Sequence, residues 1–220
     1  MAQNNRALIR VYLKPILIFG LLISVVGCVS ISYKPSLSLD QSPKTIKARA
    51  LLHKFSDNSP EEDKDTKLGG VSVAEPGTIE GDLATGVTNA ILSDFHNNRV
   101  FLEIEKSMEH PDVVIQGRIV RFSGKGGMNA LGWFTIPISI VWLLGLQVQT
   151  VEEEVLIEVI LERPDGSLIG KYLGHGGDSE DFSMYTQVAL SAPSRTNNAF
   201  GVAITKIREQ MIKDEVKIVQ

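Results

Sequence analysis

The chain of 220 residues contains a single cysteine, Cys28, and few aromatic residues, which make up 6% of the total. One thiol cannot form a disulfide within the chain, nor can it supply the several thiolates of a structural zinc site. Charge is also missing from two stretches. No Asp or Glu precedes Cys28, and no charged residue of either sign lies between Lys125 and Glu152. The first absence bears on where the protein resides, and the second on what it contacts.

The N-terminal stretch has the layout of a bacterial secretory signal. Basic residues at positions 6, 10 and 14 come before an apolar run over 15–26, and the small residue Gly27 then precedes Cys28. The run is about a dozen residues long, which is short of the roughly 20 that a membrane-spanning helix needs. The pattern therefore predicts a signal peptide over residues 1–27. An uncleaved membrane anchor and a free thiol at Cys28 remain as alternatives.

The four residues Val25-Val26-Gly27-Cys28 resemble the lipobox of bacterial lipoproteins. The resemblance implies cleavage between Gly27 and Cys28, and acyl chains on Cys28 that anchor the chain to a lipid bilayer. In that family the residue after the cysteine influences sorting, and here it is Val29 rather than Asp. The implied location is the cell envelope, with the outer membrane facing the periplasm favoured over the inner membrane.

The composition that remains after removal of the signal peptide excludes several classes of function. Nineteen basic and 26 acidic residues remain, because three of the 22 basic residues lie in the leader. This negative balance disfavours nucleic acid as a partner. The sequence contains no Gly-x-Ser-x-Gly motif, no phosphate-loop spacing and no histidines at ligand spacing. We therefore expect no catalytic residue, no metal site and no cofactor.

Hydrophobic periodicity after residue 28 predicts a polar tether over 28–44 and one domain over 45–215. Asp82 is expected to cap a helix at 83–97, and Gly124 to end a strand. A polar, irregular stretch is expected over 174–194. The predicted class is α+β, a mixed β-sheet with two amphipathic helices packed on one face and an apolar connector. The predicted strands and helices are 45–55, 83–97, 100–104, 112–122, 154–162, 168–173 and 198–213.

The apolar connector is the uncharged segment at 130–147. Three hypotheses are compatible with this segment: a partly buried connector that lies on or dips into a membrane, a surface for a protein partner, and a transmembrane helix. In the last hypothesis, residues 152–220 would lie across the bilayer from 29–125, which conflicts with a shared sheet. The residues expected to contact membrane or partner are Trp133, Phe134, Ile138, Val141, Trp142 and Leu143.

Residues 45–122 resemble a group of small envelope lipoproteins. The stretches Leu51-Leu-His-Lys-Phe-Ser-Asp57, Asn97-Asn-Arg-Val-Phe101 and Asp112-Val-Val-Ile-Gln-Gly-Arg-Ile119 carry this likeness. They are similar to YajG-like and curli-secretion-like αβ accessory lipoproteins and to TolB N-terminal domains. The resemblance implies an adaptor or accessory subunit of an envelope complex, with a protein partner, possible oligomerisation and no active site. The alternatives are an oligomeric pore or secretion-channel subunit that inserts 130–150, and third an envelope hydrolase.

Overall fold

A computed structural model of the chain describes residues 33–61, 81–137, 142, 144–183 and 188–220. The predicted signal peptide and Cys28 lie outside these residues. The strands are β1 (Ile46–Leu52), β2 (Ser56–Asp57), β3 (Phe101–Glu105), β4 (Val113–Met128), β5 (Gln147–Glu162) and β6 (Leu168–Ser183). The helices are α1 (Leu83–Asn97), α2 (Ala130–Thr135), α3 (Val188–Lys213) and α4 (Glu215–Val219).

The strands form one mixed sheet in the order β3-β1-β4-β5-β6, with β2 pairing alongside β4. β1 is parallel to both β3 and β4. Helix α1 lies between β1 and β3 in the chain and supplies the crossover that this parallel pair needs. β4, β5 and β6 are antiparallel neighbours joined as two long hairpins. The predicted α+β class with a mixed sheet is confirmed.

The two long helices pack on one face of this sheet and share one apolar core with it. Asp82 caps α1 as predicted, since its Oδ2 accepts a hydrogen bond from the Thr85 amide at 3.0 Å. Each fully buried aliphatic or aromatic side chain in such a core contributes about 1.5–3 kcal/mol to stability. The helix residues buried in the core include Val87, Ile91 and Phe95 of α1, and Phe200, Ile204 and Ile207 of α3.

Two glycines of β6 let α3 approach the sheet closely. A Cβ atom built on Gly174 or Gly176 would overlap the backbone carbonyl oxygen of Ala203 or Ala199 on α3. The sequence predicted an irregular stretch here, but these residues are strand residues paired with β5. The prediction is wrong because glycine serves close packing at these positions rather than a turn.

All three strands of the long hairpins extend further than the sequence pattern predicts. Gly124, expected to end a strand, pairs with Glu153, and the pairing continues to Met128 opposite Gln149. Likewise α3 begins at residue 188 rather than near 198. Pairing between neighbouring strands sustains the strand extensions, where glycine and polar residues interrupt the apolar pattern of the sequence.

The outer edge of β6 is partly covered by side chains from α3. Lys206 donates from Nζ to the carbonyl oxygen of His175 at 2.7 Å, and Gln210 donates from Nε2 to that of Leu173 at 2.9 Å. The helix side chains thus occupy two backbone acceptors of the last strand of the sheet.

Residues 33–44 pack on the domain, so the prediction of a flexible tether is wrong for this part of 28–44. Tyr33 is buried, and its ring lies 6.1 Å from that of Phe122. Further along, Ser42 donates its amide to the carbonyl oxygen of Asn98, and Lys44 pairs with Glu215. The polar composition suggested a tether, but alternate side chains of this segment fill the groove between α1 and α3. We call residues 33–44 the N-terminal strap.

Candidate functional site

The apolar segment lies at the turn of the long β4–β5 hairpin. We define the hairpin tip as the described residues between these strands, which are 129–137, 142 and 144–146. Its entry is Met128, paired with Gln149, and it contains the short helix α2. The segment therefore connects two neighbouring strands, which keeps both hairpin arms in one sheet.

The hairpin tip exposes large apolar side chains to solvent. Phe134 is 83% exposed and Trp133 is 63% exposed. Lone exposed apolar residues are common on proteins, whereas several within one short segment are a candidate contact surface. The exposed apolar residues of the tip are Leu131, Trp133, Phe134, Ile136, Leu144 and Leu146.

Hydrogen bonds within the tip hold its backbone in place. Asn129 caps α2, because its Oδ1 accepts the amide of Gly132 at 2.9 Å and its Nδ2 donates to the carbonyl oxygen of Gln147 at 3.0 Å. A Cβ on Gly132 would overlap the carbonyl oxygen of Val148, so α2 lies directly against β5. The tip is therefore a structural element with its own hydrogen bonds and packing.

The indole N–H of Trp142 is satisfied within the tip. It donates to the hydroxyl oxygen of Thr135 at 2.7 Å, and that hydroxyl donates in turn to the carbonyl oxygen of Leu131 at 2.7 Å. The chain Trp142–Thr135–Leu131 leaves these polar groups without need of water. Such internal pairing suits a surface that enters an apolar environment.

The structure places the predicted contact residues as follows. Trp133 and Phe134 are exposed on the tip, and Trp142 is half-buried. Ile138, Val141 and Leu143 lie outside the described residues, as do Gly27 and Cys28. Sequence reasoning did not single out four of the exposed tip residues, although the uncharged run contains them all; these are Leu131, Ile136, Leu144 and Leu146.

The N-terminal strap enters the domain on the side of the hairpin tip. Tyr33 contacts Phe122 on β4 and donates its hydroxyl proton to Oδ1 of Asn197 at 2.9 Å. From there the strap follows α3 toward its C-terminal end, where Arg208 donates to the carbonyl oxygen of Asp40 at 2.9 Å. The β5–β6 turn lies at that same far end, because Arg163 donates to the carbonyl oxygen of Lys217.

A buried polar cluster lies between the strap and the tip, beneath α3. Glu153 is 2% exposed, and its Oε2 accepts a hydrogen bond from the hydroxyl of Thr196 at 3.0 Å. Its other oxygen lies 3.6 Å from Nη2 of Arg195, whose guanidinium stacks over the ring of Phe182 at 4.9 Å. Removal from water raises the pKa of Glu153 to about 7, and the bonds from Thr196 and Arg195 offset part of that rise.

Two further observations concern the described part of the chain. No group of three or more His, Cys, Asp or Glu side chains there is placed to hold a metal ion. Among those residues no helix is both long enough and apolar enough to cross a membrane.

The fold and the site together define an α+β domain with a mixed sheet, helices on one face and an exposed apolar hairpin tip. The chain matches no model of a protein family and no curated protein. Its structure resembles that of a Xanthomonas campestris protein of the family DUF330, with 10% sequence identity and a TM-score of 0.50 over 82% of this chain and 98% of that one. At this identity the similarity shows a shared fold.

Two weaker structural similarities accompany it. A crystal structure of an uncharacterized protein aligns with 80% of this chain and 98% of its own at 11% identity, with a TM-score of 0.39. A minor lipoprotein from Acinetobacter baumannii aligns with 77% of this chain and 92% of its own at 9% identity, with a TM-score of 0.28. Similarity at these scores supports no argument about the present chain.

Proposed function

We propose that this chain is a non-enzymatic lipoprotein of the bacterial cell envelope that acts as an adaptor or accessory subunit of an envelope complex. The observation that carries the proposal is the exposed apolar tip, where Trp133 and Phe134 are largely open to solvent. A surface of this kind is favourable only when an apolar partner covers it, since exposed apolar area is costly in water.

The anchor in this proposal is an acyl modification of Cys28. The basic residues, the apolar run and Gly27 before the cysteine support it. Val29 in the following position favours the outer membrane over the inner membrane in a bacterium with both. The acyl chains already provide tethering, so the tip serves a second contact.

The polar cluster around Glu153 is the nearest approach to a set of reactive groups in the described residues, and its geometry favours a structural role. Glu153 and Arg195 are at most 6% exposed, and each faces the other. A general acid or nucleophile must reach a substrate, whereas these side chains are engaged with one another beneath α3. We therefore assign the chain a binding role.

Replacement of the cysteine tests the anchor. The variant Cys28→Ser should accumulate as an unprocessed precursor and incorporate no labelled fatty acid in growing cells. Ser30→Ala, two residues downstream, is the matched control and should be processed and labelled as the natural chain is. Normal maturation of Cys28→Ser would contradict the proposal.

The adaptor role is tested by chemical cross-linking of the full-length lipidated chain in intact cells. One discrete envelope protein should be linked to the natural chain, and none to Cys28→Ser, which does not receive its acyl anchor. Linkage to many unrelated proteins would argue against a specific partner.

The alternative function, an oligomeric pore that inserts residues 130–150, draws on the same uncharged tip. Dye release from vesicles that carry the purified lipidated protein distinguishes the two functions. Release that disappears in Phe134→Asp supports a pore, and intact vesicles support an accessory role.

A further inference from the structure

The course of the N-terminal strap shows on which side of the domain the anchor lies. Followed backwards from Lys44 to Tyr33, the strap runs from the C-terminal end of α3 to Asn197. Its path therefore leads toward the end of the domain where β4 and β5 project, and away from the β5–β6 turn. Tyr33, the first described residue, is therefore the part of the strap nearest to the hairpin tip.

The length of chain from Cys28 to Tyr33 can be compared with the distance from Phe122 to the base of the tip. Phe122, against which Tyr33 packs, is six residues before Met128 at the base of the tip, which corresponds to about 20 Å along a strand. Cys28 lies five positions before Tyr33, and a fully extended chain of that length spans at most about 18 Å. Cys28 is therefore confined to within about 18 Å of Tyr33, which is similar to the distance from Phe122 to the base of the tip.

The tip has the chemistry of a segment that enters a lipid headgroup region. It exposes Trp133 and Phe134, and tryptophan favours the boundary between headgroups and acyl chains. Its indole and hydroxyl groups are paired internally through Trp142 and Thr135. A surface with exposed apolar side chains and satisfied polar groups loses little on leaving water.

The charges nearest to the tip limit how deep it can go. Asp181 on β6 is exposed, pairs with Thr150 and lies 3.5 Å from Nδ2 of Asn129, so a carboxylate stands at the base of the tip. An ionised carboxylate is costly to bury in hydrocarbon, which leaves only the tip available for insertion.

We infer that the exposed side chains of the hairpin tip insert shallowly into the same bilayer leaflet that carries the acylated Cys28. The inference rests on the proposed lipidation and names lipid as the partner of the tip. The domain is then held at two points, by the acyl chains and by the tip, with the β4–β5 hairpin directed toward the membrane and the β5–β6 turn directed away from it.

The two tryptophans of the chain, Trp133 and Trp142, both lie in the tip segment, so tryptophan fluorescence, excited selectively over tyrosine, reports on this site alone. The full-length protein, purified with its lipid from bacterial membranes, is reconstituted into vesicles of equal parts phosphatidylethanolamine and phosphatidylcholine. In one set the phosphatidylcholine carries bromine on its acyl chains. Bromine quenches indoles that lie within the bilayer, and we expect emission to fall about twofold in that set.

Two variants with exposed apolar residues provide the comparison. Phe134→Asp places a charge on the tip and should remove roughly half or more of the quenching, because a carboxylate opposes insertion. Leu102→Asp makes the same change at a residue that is 69% exposed on β3, and should be quenched as the natural protein is. Equal loss in both variants would overturn the inference.

The outcomes separate this inference from the proposed function. Protein that stays with the vesicles but is not quenched overturns insertion of the tip and leaves the anchor standing. Quenching that appears only when brominated vesicles are added to protein on unbrominated ones means that the tip faces a second bilayer, which also overturns the inference. Protein that is not retained at all overturns both the anchor and the inference.

Discussion

Asp94 on α1 and Arg208 on α3 face each other inside the domain, with Oδ2 and Nη1 3.5 Å apart and both side chains almost fully buried. Asp94 also accepts a hydrogen bond from Nδ2 of Asn98 at 2.7 Å, and Arg208 donates to the carbonyl oxygen of Asp40 in the strap at 2.9 Å. One buried ion pair thus joins both helices and the strap that covers the groove between them.

Replacement of Asp94 by Ala should strongly destabilise the domain. The change leaves the guanidinium of Arg208 buried without its counter-ion, which typically costs about 3–5 kcal/mol in the free energy of unfolding. Urea unfolding measures this difference. Glu103→Ala, which breaks the exposed pair with Arg49, is the control and should have a far smaller effect. Similar losses in the two variants would contradict the role given to the buried pair.

A second prediction concerns the close approach of α3 to β6. Gly176→Ala should lower the free energy of unfolding by about 3 kcal/mol, because the added Cβ overlaps the carbonyl oxygen of Ala199 and forces the helix outward. The neighbouring Gly177→Ala is the matched control. Its Cβ would meet only the carbonyl oxygen of Glu153 at 3.5 Å, so its effect should stay below about 1 kcal/mol. Thermal or urea unfolding of the two variants measures their free energies of unfolding. A larger loss in Gly176→Ala shows that close packing against α3, rather than the loss of a glycine as such, causes the destabilisation.

The third prediction is a pH dependence that Glu153 imposes on stability. Its pKa is about 7 in the folded protein and 4.5 in the unfolded chain, so between these values the folded state keeps a proton that the unfolded state has lost. Stability from this group is therefore present at pH 4.5 and is lost as the pH rises to 7. The total is on the order of 3 kcal/mol.

Glu153→Gln should remove that slope while keeping an acceptor for the hydroxyl of Thr196. Urea unfolding at several values between pH 5 and pH 8 measures the natural protein and the variant side by side. Other titrating groups are common to both proteins, so the difference between the two profiles isolates Glu153. Parallel profiles of stability against pH for the two proteins would contradict the prediction, because they would show that the Glu153 carboxyl is ionised in the folded protein over the whole range.

The fourth prediction tests whether the strap belongs to the folded domain. Tyr33→Ala removes a ring that is 1% exposed and should cost about 3–5 kcal/mol. Tyr33→Phe loses only the hydrogen bond to Asn197 and should cost about 1 kcal/mol. The neighbouring Lys34 is exposed, and Lys34→Ala should change stability by less than about 0.5 kcal/mol. Three equal values would indicate that the strap is dispensable.

Elements with a strong hydrophobic period were predictable from the sequence. The bounds of α1 agree with the prediction from Asp82 and the apolar residues at every fourth position, and β1 agrees closely with the alternation from Ile46 to Leu52. In both elements one face meets the core and the other meets water, which is the condition under which periodicity reports structure.

The extended ends of the long hairpins could not be predicted in the same way. Gly124 and Gly176 resemble turn residues in sequence, yet one pairs with Glu153 and the other lies under α3. Glu153 itself points into the interior, where a carboxylate is unexpected until Arg195 and Thr196 are seen beside it. Pairing partners distant in sequence determine these positions.

For the candidate site, the sequence indicated the segment but not its setting. The lack of charge predicted an apolar contact surface at 130–147; Trp133 and Phe134 are exposed there, and their contact with membrane or partner stays a prediction. The geometry adds that this surface is the turn of a hairpin and that Tyr33 of the strap packs on β4, six residues before Met128 at the base of that turn. Neither relation could be predicted from the sequence, because it depends on contacts between distant residues such as Tyr33 and Asn197, which are 164 positions apart.

The bonds from Lys206 and Gln210 to the edge of β6 would have a further consequence for a chain anchored to a membrane as proposed above. Molecules attached to a surface diffuse in two dimensions and share one orientation, so their sheet edges would meet side by side at high effective concentration. An open strand edge would then favour the growth of a continuous sheet from copy to copy. The carbonyl oxygens of Leu173 and His175 already accept hydrogen bonds from α3, which disfavours such pairing at this part of the edge.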